Sequence, residues 1–197
     1  MPVQPDTISP PFEGTAISLR PFEAEDVEAL YALINHPDLT GRRYLHGDLP
    51  ELAPLSRRQV QALYEQSASS KDELHLVVAL RPDGRLIGYA SLEAGWDPHD
   101  PSISLVIAPQ QQCRGYGTEA AQLMLRYFFE YTPAHVVTSW VADWNTAGRQ
   151  FMRKCGFQEA GRMRRAGILQ GRYFDMVIHD LLRSEWEQGA GGGSYGA

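Results

Sequence analysis

This 197-residue sequence contains little cysteine, and it has neither a long apolar run nor an export signal. Only Cys113 and Cys155 occur, too few for a disulfide framework, so we expect a reduced, cytoplasmic protein. No apolar stretch approaches the ~18 residues that a membrane-spanning helix needs. The N-terminal segment is rich in proline and has no basic region followed by an apolar one, so we expect neither export nor membrane association.

Positive charge is also in short supply. Lys and Arg number 18 against 24 Asp and Glu, which gives a formal net charge of −6. An acidic chain is poorly suited to binding a nucleic-acid backbone and slightly better suited to a cationic small substrate. We therefore predict no nucleic-acid partner. The six histidines show no metal-ligand spacing and no Cys-His cluster occurs, so we also predict no metal site.

The remaining composition is that of a globular domain. Hydrophobic residues make up 43% of the chain and charged residues 21%, which is ordinary for a chain that buries a core. We predict one domain over residues 15–187. Residues 1–14 are expected to be a loose segment. Residues 188–197 are expected to be a disordered Gly-rich tail, because they have too few apolar side chains to offset the entropy of ordering.

Apolar periodicity and turn residues predict the element order β-α-α-β-β-β-α-β-α-β-β. The first half contains a hairpin that turns at Pro82-Asp83-Gly84. The clearest helix is predicted over residues 118–131, which carry one apolar stripe, and Asn145 and Gly156 bound the next helix. Hairpins followed by a βαβ unit predict an α+β fold, with a mixed sheet whose faces are covered by helices.

The most informative stretch is the loop Gln112-Cys-Arg-Gly-Tyr-Gly-Thr118, which joins a predicted strand to the long helix. Amide groups at a helix N-terminus have no internal partners, and the helix dipole adds partial positive charge there. Gly115 and Gly117 have no side chains to keep a pyrophosphate away from those amides. The loop therefore predicts an anion site, although two such glycines can equally do no more than shape a tight turn.

A dinucleotide-binding oxidoreductase is one interpretation of these glycines. Gly115-x-Gly117-x-x-Ala120 matches the dinucleotide fingerprint formally, and Asp143 could supply the ribose-binding acid. The fingerprint, however, needs its first glycine directly after the strand, and seven residues (108–114) follow Ile107 before Gly115. The strands upstream are joined by hairpins, and too little chain follows for a doubly wound sheet.

Gln112-x-x-Gly115-x-Gly117 also resembles the cofactor signature of the GNAT superfamily of N-acetyltransferases. Further matches follow in that family's order and resemble its ribosomal-protein N-terminal acetyltransferase (Rim-type) branch. Together they cover about residues 15–187 and are specific for the family but not for the substrate. The matching segments are Ile17-Ser-Leu-Arg-Pro21, Leu86-Ile-Gly-Tyr-Ala90, Gly115-Tyr-Gly-Thr-Glu-Ala120, Asn145 with Gly156-Phe157, and Gly171-Arg-Tyr-Phe-Asp175 with Glu185-Trp186.

The resemblance implies a GNAT-like fold, a mostly antiparallel sheet of six to seven strands with one parallel, splayed pair and helices on both faces. It implies acetyl-coenzyme A as co-substrate, held between the splayed strands, and no metal. Backbone groups of Val106 and Ile107 would pair with the pantetheine amides, and Asn145 would hydrogen-bond the pantetheine arm. The implied pyrophosphate loop consists of Gln112, Cys113, Arg114, Gly115, Tyr116, Gly117 and Thr118.

The implied reaction moves an acetyl group from the thioester to a primary amine by direct attack, without a covalent enzyme intermediate. The amine is protonated at neutral pH, so a carboxylate base is expected, and Glu93 and Asp143 are the candidates. Many superfamily members carry a tyrosine acid seven residues after the Asn, but that position is Met152 here. Tyr173 is the substitute candidate; otherwise water assists the departing thiolate. This departure keeps open a catalytically silent acyl-coenzyme A-binding or regulatory domain.

The acceptor is not specified by a motif, and a small-molecule amine and a protein N-terminus both fit. We expect the acceptor loops at residues 35–56 and 95–101. Fold analogy puts Tyr44, His46 and Trp96 near the substrate mouth. Since superfamily members are often dimers, a homodimer fits as well.

Charged residues near the last predicted strand pair have mainly structural interpretations. Asp175 could orient a substrate or make a structural hydrogen bond. A cluster of arginines could meet a phosphate or an acidic peptide, although a solvated charged face is the more ordinary explanation. These arginines are Arg162, Arg164, Arg165 and Arg172.

Overall fold

A seven-stranded sheet and five α-helices make up the described part of the chain, residues 12–39, 54–70, 73–94 and 97–190 of the computed structural model. The strands are β1 (Ile17–Pro21), β2 (Glu73–Leu80), β3 (Leu86–Glu93), β4 (Ser102–Ile107), β5 (Val136–Ala142), β6 (Gln158–Leu169) and β7 (Arg172–Leu182). The helices are α1 (Val27–Ile34), α2 (Arg57–Ser69), α3 (Tyr116–Tyr131), α4 (Thr146–Lys154) and α5 (Arg183–Ala190).

The strands lie in the order β1-β2-β3-β4-β5-β7-β6. Every neighbouring pair is antiparallel except β4 and β5, which run parallel. Ser102 with Thr138 is the single register pair between those two strands. The structure confirms the predicted mixed, mostly antiparallel sheet with one splayed parallel pair, and it differs from the doubly wound sheet of a dinucleotide-binding fold.

Helices cover both faces of the sheet, as predicted. The apolar stripe of α3, including Met124 and Phe128, joins the main core with Leu76 and Val78 of β2. A second cluster joins α1 and α2 on the opposite face, where Tyr89 of β3 packs against it. Side chains alternate between faces along a strand, so the face that carries Tyr89 is called here the α1–α2 face.

Local signals explain where several helices begin and end. Ser56 and Gln59 form the predicted capping box at the start of α2, with Ser56 Oγ accepting from the Gln59 amide at 3.3 Å. Gly156 ends α4 with a φ of 96°, the left-handed conformation that glycine adopts without strain. The guanidinium of Arg183 donates to the carbonyl oxygens of Phe129, Thr132 and Ala134, which satisfies the C-terminal end of α3.

Contacts continue a few residues beyond the predicted domain on its N-terminal side. Glu13 forms a bridge with Ser18, and the Gly14 amide donates to the Ile17 carbonyl at 3.0 Å. Next to them, Glu119 of α3 accepts from the amides of Thr15 and Ala16. Helix α5 has no counterpart among the predicted elements, and it extends through residue 190. Tertiary contacts stabilise this helix, because Trp186 packs on the Phe129 ring with centroids 5.4 Å apart.

The described residues contain neither a membrane-spanning helix nor a cluster of metal ligands. No helix in these ranges is long and apolar enough to cross a membrane. The same ranges contain no group of three His, Cys, Asp or Glu side chains that could hold a metal ion.

Candidate active site

A cleft opens between β4 and β5 directly after their one register pair. Ser139 of β5 donates to the Ile103 carbonyl at 3.0 Å from a buried position, which ties the strands together at the closed end of the cleft. Beyond this point β5 continues its pairing with β7 alone. Ser104 and Trp140 are the first residues on either side of the opening, each two positions past the Ser102–Thr138 pair. We call this closed end the apex.

Backbone groups of β4 point alternately to β3 and to the cleft. The Ala108 amide donates to Ile87 of β3 at 2.8 Å, and a Cβ on Gly88 would overlap the Val106 carbonyl oxygen. Val106 therefore directs its carbonyl toward β3, against the expectation that it pairs with a ligand. The alternation instead turns Leu105 and Ile107 toward the cleft, and Leu105 is a residue that the sequence analysis did not single out.

The predicted loop at the open end of the cleft has the geometry of an anion site. Gly115 is the N-cap of α3 with a φ of 90°, which favours glycine, and no side chain caps this helix. Its first amides are therefore available to a ligand, and the helix dipole favours an anion there. Cys113 also has a positive φ, 59°. Gln112 donates from Nε2 to the Ile107 carbonyl at 2.9 Å, which anchors the loop to the end of β4.

The N-termini of α3 and α4 lie at the same end of the cleft, because both helices follow the carboxyl ends of neighbouring parallel strands. Asn145 caps α4 through Oδ1, which accepts from the Gly148 amide at 2.9 Å. Its amide nitrogen remains as a donor group. Ligands of α/β sheets bind outside the carboxyl ends of strands where neighbouring connections diverge, and the two helix N-termini make this end suitable for the phosphates of coenzyme A.

A polar band lies on the α1–α2 face at the apex. Ser91 of β3 is opposite Ser104 of β4, and their hydroxyl oxygens are 2.6 Å apart. Glu93 is opposite Ser102, and its carboxylate accepts from the hydroxyls of Ser91 and Ser102, each at 3.4 Å. Glu93 is half-buried. Of the predicted carboxylates, the register brings this one nearest to the apex.

Additional charged and aromatic groups extend this band. Glu73 of β2 is directly opposite Glu93, and its carboxylate lies 2.9 Å from Nε2 of His75. Like charges that face each other across two strands are unfavourable, so this position favours a cation nearby. Across the cleft, Trp140 is 48% exposed. Sequence patterns missed Glu73, Ser91, Ser104 and Trp140, because only the strand register brings them together.

Asp143 and Tyr173 lie away from Glu93. Thr138 pairs with Ser102 and Ser102 pairs with Glu93, so Thr138 marks the position of Glu93 along the sheet. Asp143 begins the turn after β5, five residues after Thr138. At 3.3 Å per residue that is about 16 Å along the sheet. Tyr173 lies three residues beyond Met176, the end of the β5 pairing, and is 63% exposed beneath the Arg165 guanidinium. The structure does not bring these three candidates together.

Other predicted positions have structural roles. Met152 is 6% exposed in the main core, so it contributes nothing to the cleft surface. Asp175 accepts from the Arg165 amide at 2.8 Å and pairs with Arg162 at 3.5 Å, which fits the structural interpretation of this carboxylate. The arginines of this hairpin are exposed, as expected for a solvated charged face. Tyr44, His46 and Trp96 lie outside the described residues.

Comparisons with known proteins identify the class to which this site belongs. A family model described as an acetyltransferase (GNAT) domain matches residues 17–158, well over half of the chain, and the chain therefore belongs to the GNAT acetyltransferases. It is an enzyme that uses acetyl-coenzyme A to acetylate an amine.

Individual relatives are distant but extend over most of the chain. The putative ribosomal N-acetyltransferase YdaF of Bacillus subtilis is 26% identical, with 87% of this chain and 93% of the relative covered. A spermidine N(1)-acetyltransferase of Vibrio cholerae is 24% identical over 88% of this chain and 96% of the relative. The structure of spermidine N-acetyltransferase from Vibrio cholerae in complex with CoA and spermine is similar in fold, with a TM-score of 0.74, 23% identity, and coverage of 87% of this chain and 98% of that one.

Proposed function

We propose that acetyl-coenzyme A lies along the cleft between β4 and β5, with its thioester at the apex. The observation that carries this proposal is the splayed parallel pair, which turns backbone groups of Leu105 and Ile107 toward the cleft with no strand beside them there, the Ile107 carbonyl accepting from Gln112. Those groups can bind the pantetheine amides as an added strand would. The uncapped N-terminus of α3 supports a pyrophosphate site formed by the amides of residues 112–118.

Glu93 is the base in this proposal. The acceptor amine must lose a proton before its nitrogen attacks the thioester carbonyl, and of the two predicted carboxylates, Glu93 and Asp143, Glu93 lies nearer to the apex. Asp143 is less suited, because it lies level with the phosphate end of the cleft. As the C–N bond forms and the C–S bond breaks, a backbone amide of β4 stabilises the oxyanion. Coenzyme A leaves as a thiolate that takes a proton from water, since the core position Met152 offers no acid.

The acceptor that fits best is a small cationic amine. Glu73 and Glu93 face each other across β2 and β3, and a bound cation would relieve their repulsion. Trp140 supplies an exposed aromatic ring on the other side of the opening, and such rings attract ammonium groups. The relatives named as spermidine N(1)-acetyltransferases support this class of acceptor.

A protein N-terminus is the second candidate acceptor. The Rim-type resemblance and the relative named as a putative ribosomal N-acetyltransferase support it. An N-terminal peptide carries one ammonium group, whereas a polyamine carries several. Peptide transfer should therefore depend less on Glu73. A wild-type kcat/KM that is higher for the peptide than for spermidine, and that Glu73→Gln leaves unchanged, would favour this second acceptor.

A thiol-release assay with a panel of amines tests the proposal. The panel comprises spermidine, an amino acid amide and a short peptide with a free N-terminus. We expect release above the hydrolysis background with spermidine. Trp140→Ala should raise the KM for spermidine several-fold, while Tyr131→Ala, an equally exposed aromatic of α3, leaves it unchanged. Tight acetyl-coenzyme A binding without release by any amine would favour the silent domain.

We also propose a cytoplasmic homodimer. Cys113 and Cys155 are both free thiols, as a reducing compartment requires. Exposed apolar side chains at the β5–β7–β6 end of the sheet, among them Met163, Ile168 and Leu182, offer surface for self-association. Light scattering at micromolar concentration tests the dimer, and a monomer mass would contradict it.

A further inference from the structure

Two serine hydroxyls connect the apex of the cleft to Glu93. Ser104 stands at the apex on β4 and is half-buried. Its oxygen lies 2.6 Å from that of Ser91, and Ser91, which is 3% exposed, donates to Glu93 at 3.4 Å. The chain of polar atoms is therefore Ser104, Ser91 and the Glu93 carboxylate, all on the α1–α2 face.

Either serine could donate in the contact between the two hydroxyls, and the hydrogen bond from Ser91 to Glu93 selects one direction for the chain. A hydroxyl has one proton to donate and two lone pairs that accept. Since Ser91 donates its proton to Glu93, its contact with Ser104 must be one in which Ser104 donates. The lone pairs of the Ser104 oxygen can then accept from a ligand in the cleft. An amine N–H is a donor that fits that position.

Glu93 needs such a connection to reach the thioester. Its register partner on β4 is Ser102, where β4 and β5 are still paired, two residues before Ser104. This separation is about 7 Å along the strand, longer than a hydrogen bond between the carboxylate and an amine at the apex.

We propose that Ser104 and Ser91 relay the proton of the acceptor amine to Glu93. This inference rests on the proposed function, with Glu93 as the base. As the amine nitrogen forms its bond to the thioester carbon, its proton passes to Ser104 Oγ, the Ser104 proton to Ser91 Oγ, and the Ser91 proton to the carboxylate. The C–S bond then breaks, and coenzyme A leaves as the thiolate. Both serines end the step neutral, and Glu93 ends it protonated.

Variants of the two serines test the relay with spermidine and acetyl-coenzyme A as probes. Ser104→Ala and Ser91→Ala should each lower kcat about 100-fold, the lower end of the range expected when proton transfer to a positioned base is lost, with little change in KM. The double variant should be no slower than either single one, because the two hydroxyls act as one unit. Ser104→Thr keeps a hydroxyl and should restore most of kcat. Ser18→Ala on the distant strand β1 is the matched control.

Two readouts separate a relay from a merely structural serine pair. In mixtures of H₂O and D₂O, the wild-type kcat should fall non-linearly with the fraction of D₂O, because several protons move together. The kcat of Ser104→Ala should depend less strongly on the fraction of D₂O. The wild-type kcat should level off above neutral pH. In Ser104→Ala it should keep rising toward the pKa of a free amine near 10, because solvent must then remove the proton.

The results that would overturn the relay differ from those that would overturn the proposed function. If the wild type transfers acetyl groups and both serine variants keep kcat within twofold, the relay is wrong while the proposed function stands. If the variants fail together with their thermal stability or acetyl-coenzyme A affinity, and Ser104→Thr rescues none of the activity, the pair is structural and the relay is again wrong. Absence of transfer by the wild type to every amine in the panel would overturn the proposed function itself, and with it the relay.

Discussion

Asn145 has two roles that a single substitution can separate. Its Oδ1 caps α4, and its Nδ2 is the group proposed to donate to the pantetheine arm. Asn145→Ser keeps a good cap but removes the amide donor. We expect its thermal stability to match the wild type, while the Kd for acetyl-coenzyme A rises about 5- to 10-fold, the value of about one hydrogen bond.

Asn145→Ala is the companion variant, and it should lose about 1 kcal/mol of stability as well as affinity. Calorimetry and thermal denaturation on the same samples separate the two effects. If Asn145→Ser bound acetyl-coenzyme A as tightly as the wild type, the residue would be a cap and nothing more.

The two thiols should differ sharply in reactivity. Cys113 is exposed in the pyrophosphate loop, whereas burial raises the pKa of Cys155 to about 11, so that Cys155 carries almost no thiolate at neutral pH. We expect iodoacetamide to modify Cys113 alone, and acetyl-coenzyme A to slow that modification at least several-fold. Mass spectrometry of digests measures both. Modification of Cys113 at the same rate with saturating acetyl-coenzyme A would mean that the loop does not cover the ligand.

The packing of one helix against its neighbours controls the anion site. A Cβ on Gly117 would lie 3.5 Å from both Ile107 of β4 and Phe151 of α4, which is ordinary contact distance. Gly117→Ala should therefore keep near-normal affinity, while Gly117→Leu must push the start of α3 away from β4. We expect the leucine variant to bind acetyl-coenzyme A more than tenfold more weakly in calorimetry. If both variants bound acetyl-coenzyme A with the same affinity, the N-terminus of α3 would not be part of the binding site.

Elements with strong local signals could be predicted from sequence, and those held by tertiary contacts could not. The α3 stripe and the Ser56–Gln59 box encode their helices locally, and both predictions are confirmed. By contrast, α5 depends on Trp186 packing against Phe129. β6 extends to Leu169 through an irregularity at Arg165, whose φ is 51°, and no propensity rule anticipates that bend.

The candidate site divides in the same way. The glycine loop is contiguous in sequence, so its position at a helix N-terminus could be predicted. The polar band depends on register: Ser91 and Ser104 are 13 residues apart and meet only because β3 and β4 pair as they do. A sequence signal existed in the alternation of Ser102 and Ser104 within an otherwise apolar strand, but alternation alone does not identify the partner strand.

At the scale of the whole molecule, one buried histidine links stability to pH. His179 is fully buried on β7 opposite Ser139, and burial lowers its pKa below the ordinary value of 6.5. In the unfolded chain the same ring takes up a proton near pH 6.5, so the unfolded state binds more protons below that pH. The contribution of His179 to stability is therefore complete above pH 6.5 and is lost as the pH falls below it.

His179→Gln, which does not titrate, isolates this contribution. We expect the stability difference between wild type and variant to shrink as the pH falls from about 7.5 to about 5.5, by at most ~1.4 kcal/mol per pH unit for one proton. Urea denaturation at both pH values measures the free energies of unfolding. A difference that stays constant with pH would mean that the histidine is not held neutral.

The central claim for the molecule is that its splayed sheet and glycine loop bind acetyl-coenzyme A. Isothermal titration of acetyl-coenzyme A and, separately, of NAD into the purified chain tests it most directly. We expect one site per chain with a micromolar Kd for acetyl-coenzyme A and no heat with NAD. Absence of acetyl-coenzyme A binding at millimolar ligand would contradict this claim. Binding of NAD instead would identify the glycine loop as a dinucleotide-binding site.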